Sequence, residues 1–191
     1  GESYTISVAT QPSSPPQTCT VSNATGVIPA SNVTNVAINC TINTYTLAGT
    51  VSGLNGSGLR LNLNASGINE ATNIASGATG FNFVTAVPFG EGYTISVAEQ
   101  PGSPAQTCTA SASVGTIPAN NVTDITITCV TNTHPVTLAL LSPFGSITTE
   151  PPLPAHVDDG SPLSFTLNVP RAYKLDSIDG CSGTFDMKTM I

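Results

Sequence analysis

The chain has 191 residues, of which only 8% are charged, and 11 acidic residues against Arg60, Arg171, Lys174 and Lys188 give a net charge of -7. So few scattered cations cannot displace the counterions of a phosphate backbone, which argues against nucleic acid as a partner. A hydrophobic fraction of 39% with 17 Gly and 15 Pro is too apolar for a disordered chain and suits a turn-rich all-β protein. No apolar run reaches the roughly 18 residues of a membrane helix, so no membrane insertion is expected.

Residues 1–40 recur without a gap as residues 90–129, an offset of 89, with 26 identities in 40 positions. A period of that size exceeds the roughly 20 to 50 residues of a solenoid unit and marks a tandem array of whole domains. The expected modules are 1–42, the C-terminal half of a β-sandwich repeat; 43–132, one complete repeat; and 133–191, a different and partial β module. The chain thus begins within a repeat, and the missing half must come from upstream modules or from another copy of the chain.

Within the complete repeat, Tyr45, Leu47, Gly49 and Val51 alternate with threonines and alanine, which predicts a first strand. Asn55-Gly56-Ser57-Gly58 then predicts a tight hairpin into a second strand carrying Leu59, Leu61 and Leu63. A weaker segment over Glu70 to Ala75 and the pair Phe81 and Phe83 come next. Tyr93, Ile95 and Val97 form a fifth strand ending at Pro101, Cys108 and Ala110 begin a sixth, and Ile125, Ile127 and Cys129 share a face on a seventh. Seven short strands in about 90 residues, with no helical period, suggest an Ig-like Greek-key sandwich. The joints at 40–45 and 129–135 are short and free of glycine, as expected of a stiff rod and not of a flexible tether.

Cys19 and Cys40 stand 21 apart, as do Cys108 and Cys129. A pair that travels with the repeat is read most simply as a disulfide within each module, which needs an oxidising, extracellular or cell-surface location. Zinc is the competing reading, but no close Cys-x-x-Cys and no histidine lies within the repeat. Cys181 has no sequence partner; its partner is expected beyond Ile191 in a longer parent or in a neighbouring chain, with an unpaired thiol as the alternative. Beyond His134, strands are predicted from Pro135 to Leu141, Leu163 to Val169 and Tyr173 to Ile178, with a break at Pro151-Pro152-Leu153-Pro154.

The string Gln106-Thr107-Cys108-Thr109 with Gly115, Asn121-Val122-Thr123 and Cys129 resembles a repeat of large secreted or surface-displayed bacterial proteins. Thr46 to Leu54, Phe81-Asn82-Phe83 and Gly92 to Val97 are similar to the prealbumin-type sandwiches of collagen-adhesin B-type stalk domains. Such stalks often carry a Lys-to-Asn isopeptide bond, but no lysine occurs before Arg171, so the disulfide would take that role. Gly145-Ser146-Ile147, Val157, Gly160, Phe165, Tyr173, Ile178 and Gly180-Cys181-Ser182-Gly183 resemble an internalin-type B-repeat. These resemblances imply spacers, adhesive stalks or assembly modules, with no catalytic residues, cofactor or metal.

The only histidines are His134 and His156. His156 with Asp158 or Asp159 is a conceivable triad fragment, but no Gly-x-Ser-x-Gly elbow exists, and a solvated irregular segment is the better reading. Asp158-Asp159-Gly160 reads as a turn, because the alternating acidic ligands of a calcium loop are absent. Outward Thr126 and Thr128 suggest a flat ligand face, yet strand propensity already explains threonine there. The expected function is a non-enzymatic, stiff, disulfide-stapled stalk of a bacterial extracellular protein, able to build a fibre by strand complementation between chains. The alternative is an adhesin-type module that recognises glycan or host protein.

Overall fold

A computed structural model describes residues 1–137, 148–164 and 166–168. Every regular element among the described residues is a strand, and the chain divides into two compact units, Gly1–Asn132 and Thr133–Ile191. The first unit contains β1 (Ser3–Thr5), β2 (Gln17–Ser22), β3 (Thr25–Val27), β4 (Ala37–Ile42), β5 (Thr44–Tyr45), β6 (Leu47–Ser52) and β7 (Leu59–Ala65). It continues with β8 (Ile68–Ile74), β9 (Gly80–Asn82), β10 (Val87–Pro88), β11 (Gly92–Glu99), β12 (Gln106–Ser111), β13 (Val114–Thr116) and β14 (Val122–Thr131). The second unit holds β15 (Thr133–Pro135), β16 (Thr148–Glu150), β17 (His156–Asp158) and β18 (Thr166–Asn168), paired as β15 with β17 and β16 with β18.

The complete repeat is built from two four-stranded sheets, ordered β13-β11-β7-β8 and β12-β14-β6-β9. Alternation of apolar and polar residues gives each sheet one apolar face. Leu59, Leu61, Leu63, Tyr93 and Ile95 from the first sheet meet Leu47, Val51, Phe81, Ile125 and Ile127 from the second in one buried cluster. This is the layering of a β-sandwich. Phe83 stands edge-on to Phe81 with ring centroids 5.8 Å apart.

The expected hairpin at Asn55-Gly56-Ser57-Gly58 does not form, because β6 and β7 lie in different sheets. Leu54 is buried in the core, and the positive-φ residues are Gly53 and Gly58, which turn the chain across from one sheet to the other. The segment is a crossover. Freed from β7, β6 runs parallel to β14, a pairing of distant segments with Ile127 opposite Val51. Strand alternation does not reveal such a partner.

The first copy contains only the strands equivalent to β11 through β14, and its β1–β3 and β2–β4 pairs repeat the β11–β13 and β12–β14 registers. Tyr4 lies over Gly26 as Tyr93 lies over Gly115, each glycine leaving room for the ring across the strand pair. Nothing in the described chain covers the apolar face. Ile38, Ile28 and Ile6 are 64%, 46% and 39% exposed, whereas their counterparts Ile127, Ile117 and Ile95 are 0%, 1% and 3% exposed. The strands also shorten: β11 spans Gly92–Glu99 but β1 only Ser3–Thr5, and β14 starts at Val122 but β4 at Ala37, the equivalent of Thr126. The lost stretches are those that β7 and β6 flank in the complete copy.

His156 lies on β17 and not in an irregular segment, because it faces Pro135 of β15 across a strand pair. Ser161 donates its backbone N–H to the Asp158 carbonyl, closing the turn at Asp159-Gly160. The strand expected over 163–169 is β18 in its middle part. The expected strand over 173–178 and Cys181 lie outside the described residues, as does most of the one over 135–141. The difference in burial yields a test by urea unfolding. Ile127→Ala should cost about 2–5 kcal/mol, whereas Ile38→Ala should change stability by no more than about 0.5 kcal/mol.

Candidate functional site: stapled strand pairs and their polar clamps

Two disulfides, Cys19–Cys40 and Cys108–Cys129, close the β2–β4 and β12–β14 pairs. In both, the cysteines face each other directly across antiparallel strands, so each bridge lies within one sheet. Cys108 and Cys129 are part of the buried cluster. The backbone groups of Cys108 point away from its partner strand, toward the open side of edge strand β12. There Gln100 closes them: its Nε2 donates to the Cys108 carbonyl at 3.0 Å, and its Oε1 accepts the Cys108 N–H at 2.7 Å. Gln11 makes the same two bonds to Cys19, at 3.0 and 2.7 Å. A glutamine amide that occupies an edge strand's free donor and acceptor also blocks pairing at that point by a foreign strand.

Gln106 is the one buried polar side chain among the described residues. Its Oε1 accepts the N–H groups of Asn55 at 2.8 Å and Gly56 at 2.7 Å, and its Nε2 donates to the Gly53 carbonyl at 2.8 Å and the Thr131 hydroxyl at 3.2 Å. All four bonding positions of the amide are used. A carboxylate could not replace it, since the Gly53 carbonyl requires a donor. The crossover is pinned further by the Gly102 N–H, which donates to the Ser57 carbonyl at 2.9 Å. A Cβ at Gly56 would collide with the Pro104 carbonyl and lie 2.7 Å from Pro101 Cβ, so the close approach demands glycine. At the other end of β6, the Asn121 side-chain oxygen accepts the Thr46 N–H at 3.0 Å, while the Val122 N–H donates to the Thr46 carbonyl at 3.0 Å. Thus Gln106 and Asn121 hold β6 at its two ends.

The joint between the copies is bonded on both sides. Asn43 donates its N–H to the Pro16 carbonyl at 3.0 Å and accepts the Thr18 hydroxyl on its side-chain oxygen at 2.7 Å, both in the first copy. Its own carbonyl accepts the Phe89 N–H at 2.9 Å, in the second. Asn132 repeats the first two contacts, with Ala105 at 2.9 Å and Thr107 at 2.7 Å.

Glu70 on β8 ties down the loop after β9, its two oxygens accepting the N–H groups of Val84 and Thr85 at 2.8 and 2.9 Å. Desolvation pushes this carboxyl up, but the bonds from Val84 and from the Thr85 backbone and side chain outweigh it and hold the carboxyl below its ordinary range. Burial, helped by the charge of Asp124, pushes the Tyr93 phenol up, as befits a core tyrosine.

The sequence sets His156 beside Asp158 and Asp159 as a conceivable triad fragment. Asp159 meets His134 at 2.9 Å on an exposed surface. No group of three His, Cys, Asp or Glu suited to a metal occurs among the described residues. Thr126 and Thr128 of the candidate flat face engage neighbouring strands through Ser111 and Ser52. Residues 64–69 with Gly92 line a shallow depression of about 390 Å³. The clamps Gln100, Gln106 and Asn121 were not singled out from sequence as bonding groups. Their signal was present, since each recurs 89 residues earlier as Gln11, Gln17 and Asn32. Among known proteins, no family model matches this chain and no curated sequence does.

Gln106→Ala orphans the Gly53, Asn55 and Gly56 backbone groups and should cost about 3 kcal/mol in urea unfolding, while Gln17→Ala should change stability by under about 0.5 kcal/mol. The folded-state pKa of Glu70 is depressed, so its stabilisation is complete above the ordinary value of 4.5 and fades as pH falls through the lower folded value. Amide exchange at Val84 and Thr85, corrected for intrinsic rate, should therefore speed up over that acidic range. In Glu70→Ala, which removes both acceptors, it should be fast and independent of pH throughout.

Proposed function

We propose that this chain is a non-enzymatic structural segment, a stiff disulfide-stapled stalk of an extracellular or cell-surface protein, with its Ig-like, prealbumin-type repeats arranged in tandem. The observation that carries the reading is the joint at Asn43, hydrogen-bonded into both copies, between strand pairs that each hold their own sulfur bridge. A residue bonded to both neighbours resists the bending that a Gly/Ser tether allows. Disulfides persist in oxidising compartments, which supports a location outside the cytoplasm. The bacterial origin and the B-repeat character of residues 133–191 rest on sequence resemblance alone. The depression at residues 64–69 is shallow and the chain has no tryptophan, so neither supports a sugar-stacking site.

A stalk staple limits how far a module extends when pulled. Single-molecule pulling of the oxidised chain should give a cooperative rupture for the 43–132 repeat. Dithiothreitol should then add about 70 Å of contour for each 21-residue separation released, and lower the repeat's stability by about 3 kcal/mol. Smooth extension with no rupture event would overturn the stalk reading. Saturable glycan binding by the same chain would transfer the assignment to an adhesin.

A further inference from the structure

We propose that the open face of residues 1–42 is an acceptor for one strand–loop–strand segment of polypeptide patterned like residues 46–65, with glycine at the position of Gly56. The second copy supplies the argument, because there the equivalent face is already occupied. Its β14 edge pairs with β6 and its β11 edge with β7, and the crossover between them is held by Gln106. Each feature that receives residues 46–65 recurs 89 residues earlier. Val36 and Ile38 stand for Ile125 and Ile127, Ile6 for Ile95, Asn32 for Asn121, and Gln17 for Gln106. In the complete copy these groups are buried or bonded to the segment. In the first copy Ile38 and Ile6 are exposed, and the side chains of Gln17 and Asn32 make no hydrogen bond among the described residues.

Two unpaired edges and one apolar face would each favour almost any strand, so exposure alone does not choose an occupant. The clamps do. An acceptor amide at Gln17 would bond two successive N–H groups of a loop and one carbonyl before it, while Asn32 would bond the N–H at the start of the incoming strand. Pro12 and Pro15 occupy the positions of Pro101 and Pro104, whose atoms leave no space for a Cβ at Gly56. The site therefore reads strand length between Asn32 and Gln17, and then a glycine. It selects a half-repeat and discriminates against a generic strand. Residues 46–65 of a second copy do not serve as they stand, because they are engaged in their own sandwich.

The inference rests on the stalk reading only in taking this face for a joint between modules. The test adds a synthetic peptide of residues 46–65 to the intact 191-residue chain and follows amide exchange. The expected result is saturable one-to-one binding with new protection at residues 5–9 and 36–40, and no change at 95–99 and 125–129. A Gly56→Val peptide should bind about tenfold more weakly or worse, and chain variants Gln17→Ala and Asn32→Ala should each lose about tenfold. Protection of residues 90–132 reports that each variant is folded. No new protection at about 1 mM peptide, or equal binding by the Gly56→Val peptide, would overturn the proposal. Protection of the same amides that rises with chain concentration alone would assign the face to a second copy instead. A chain that ignores the peptide yet ruptures cooperatively under force would lose the joint and keep the stalk.

Discussion

The amide of Gln106 connects the halves on which the complete sandwich depends. One half is the stapled group of strands from β11 to β14; the other is β6 through β9, whose crossover at Gly53 to Gly58 carries the chain from one sheet to the other. Each half supplies two strands to each sheet, and a two-stranded piece of either layer leaves its apolar residues in water until the other half widens both sheets over them. The crossover brings backbone N–H and C=O groups into the interior, where unpaired they would cost more than the packing at that spot returns. Gln106 satisfies three of them at once. Its burial is tolerable because the amide is fully bonded.

The sulfur bridges serve a different end. Each ties two strands that are already neighbours in one sheet, so it fixes register in the strand pair and does not join the layers. A one-residue slip would turn every core residue of β12 outward, and a bridge between directly opposed cysteines forbids it. The glutamine that bonds the free side of Cys108 or Cys19 completes the device by filling the edge at the same position. This combination lets the first copy keep its strand pairing while its apolar face stays open. Without the bridge, two strands of that length would be marginal.

Much of the fold was legible in the chain. Alternation placed Leu59, Leu61, Leu63, Tyr93, Ile95, Ile125 and Ile127 on the inner faces, because burial on one side of a strand imposes a period of two. The crossover was misread as a hairpin for an equally physical reason. Asn-Gly flanked by alternating strands is the usual mark of a tight turn, and only Leu54, sinking into the core, and the positive φ of Gly53 and Gly58 reveal the change of sheet. The clamps were legible in principle as glutamines and asparagines that recur with the repeat. Their partners are backbone atoms, which leave no trace in residue type.

By itself, the sequence determined the duplication, the strand character of the chain and the inward-facing residues, since these follow from identity at a fixed offset and from local periodicity. It also indicated which cysteines belong together, because each pair moves with its repeat. The parallel partner of β6, the layer in which each strand lies and the atoms that satisfy Gln106 were decided only by tertiary structure. Those are relations between segments up to about 75 residues apart, fixed by which apolar faces close on one another. The same strands of the two copies make the point most directly. Ile38 and Ile127 occupy one position in the repeat, and only the presence of the other half-repeat, which widens both sheets, separates an exposed side chain from a buried one.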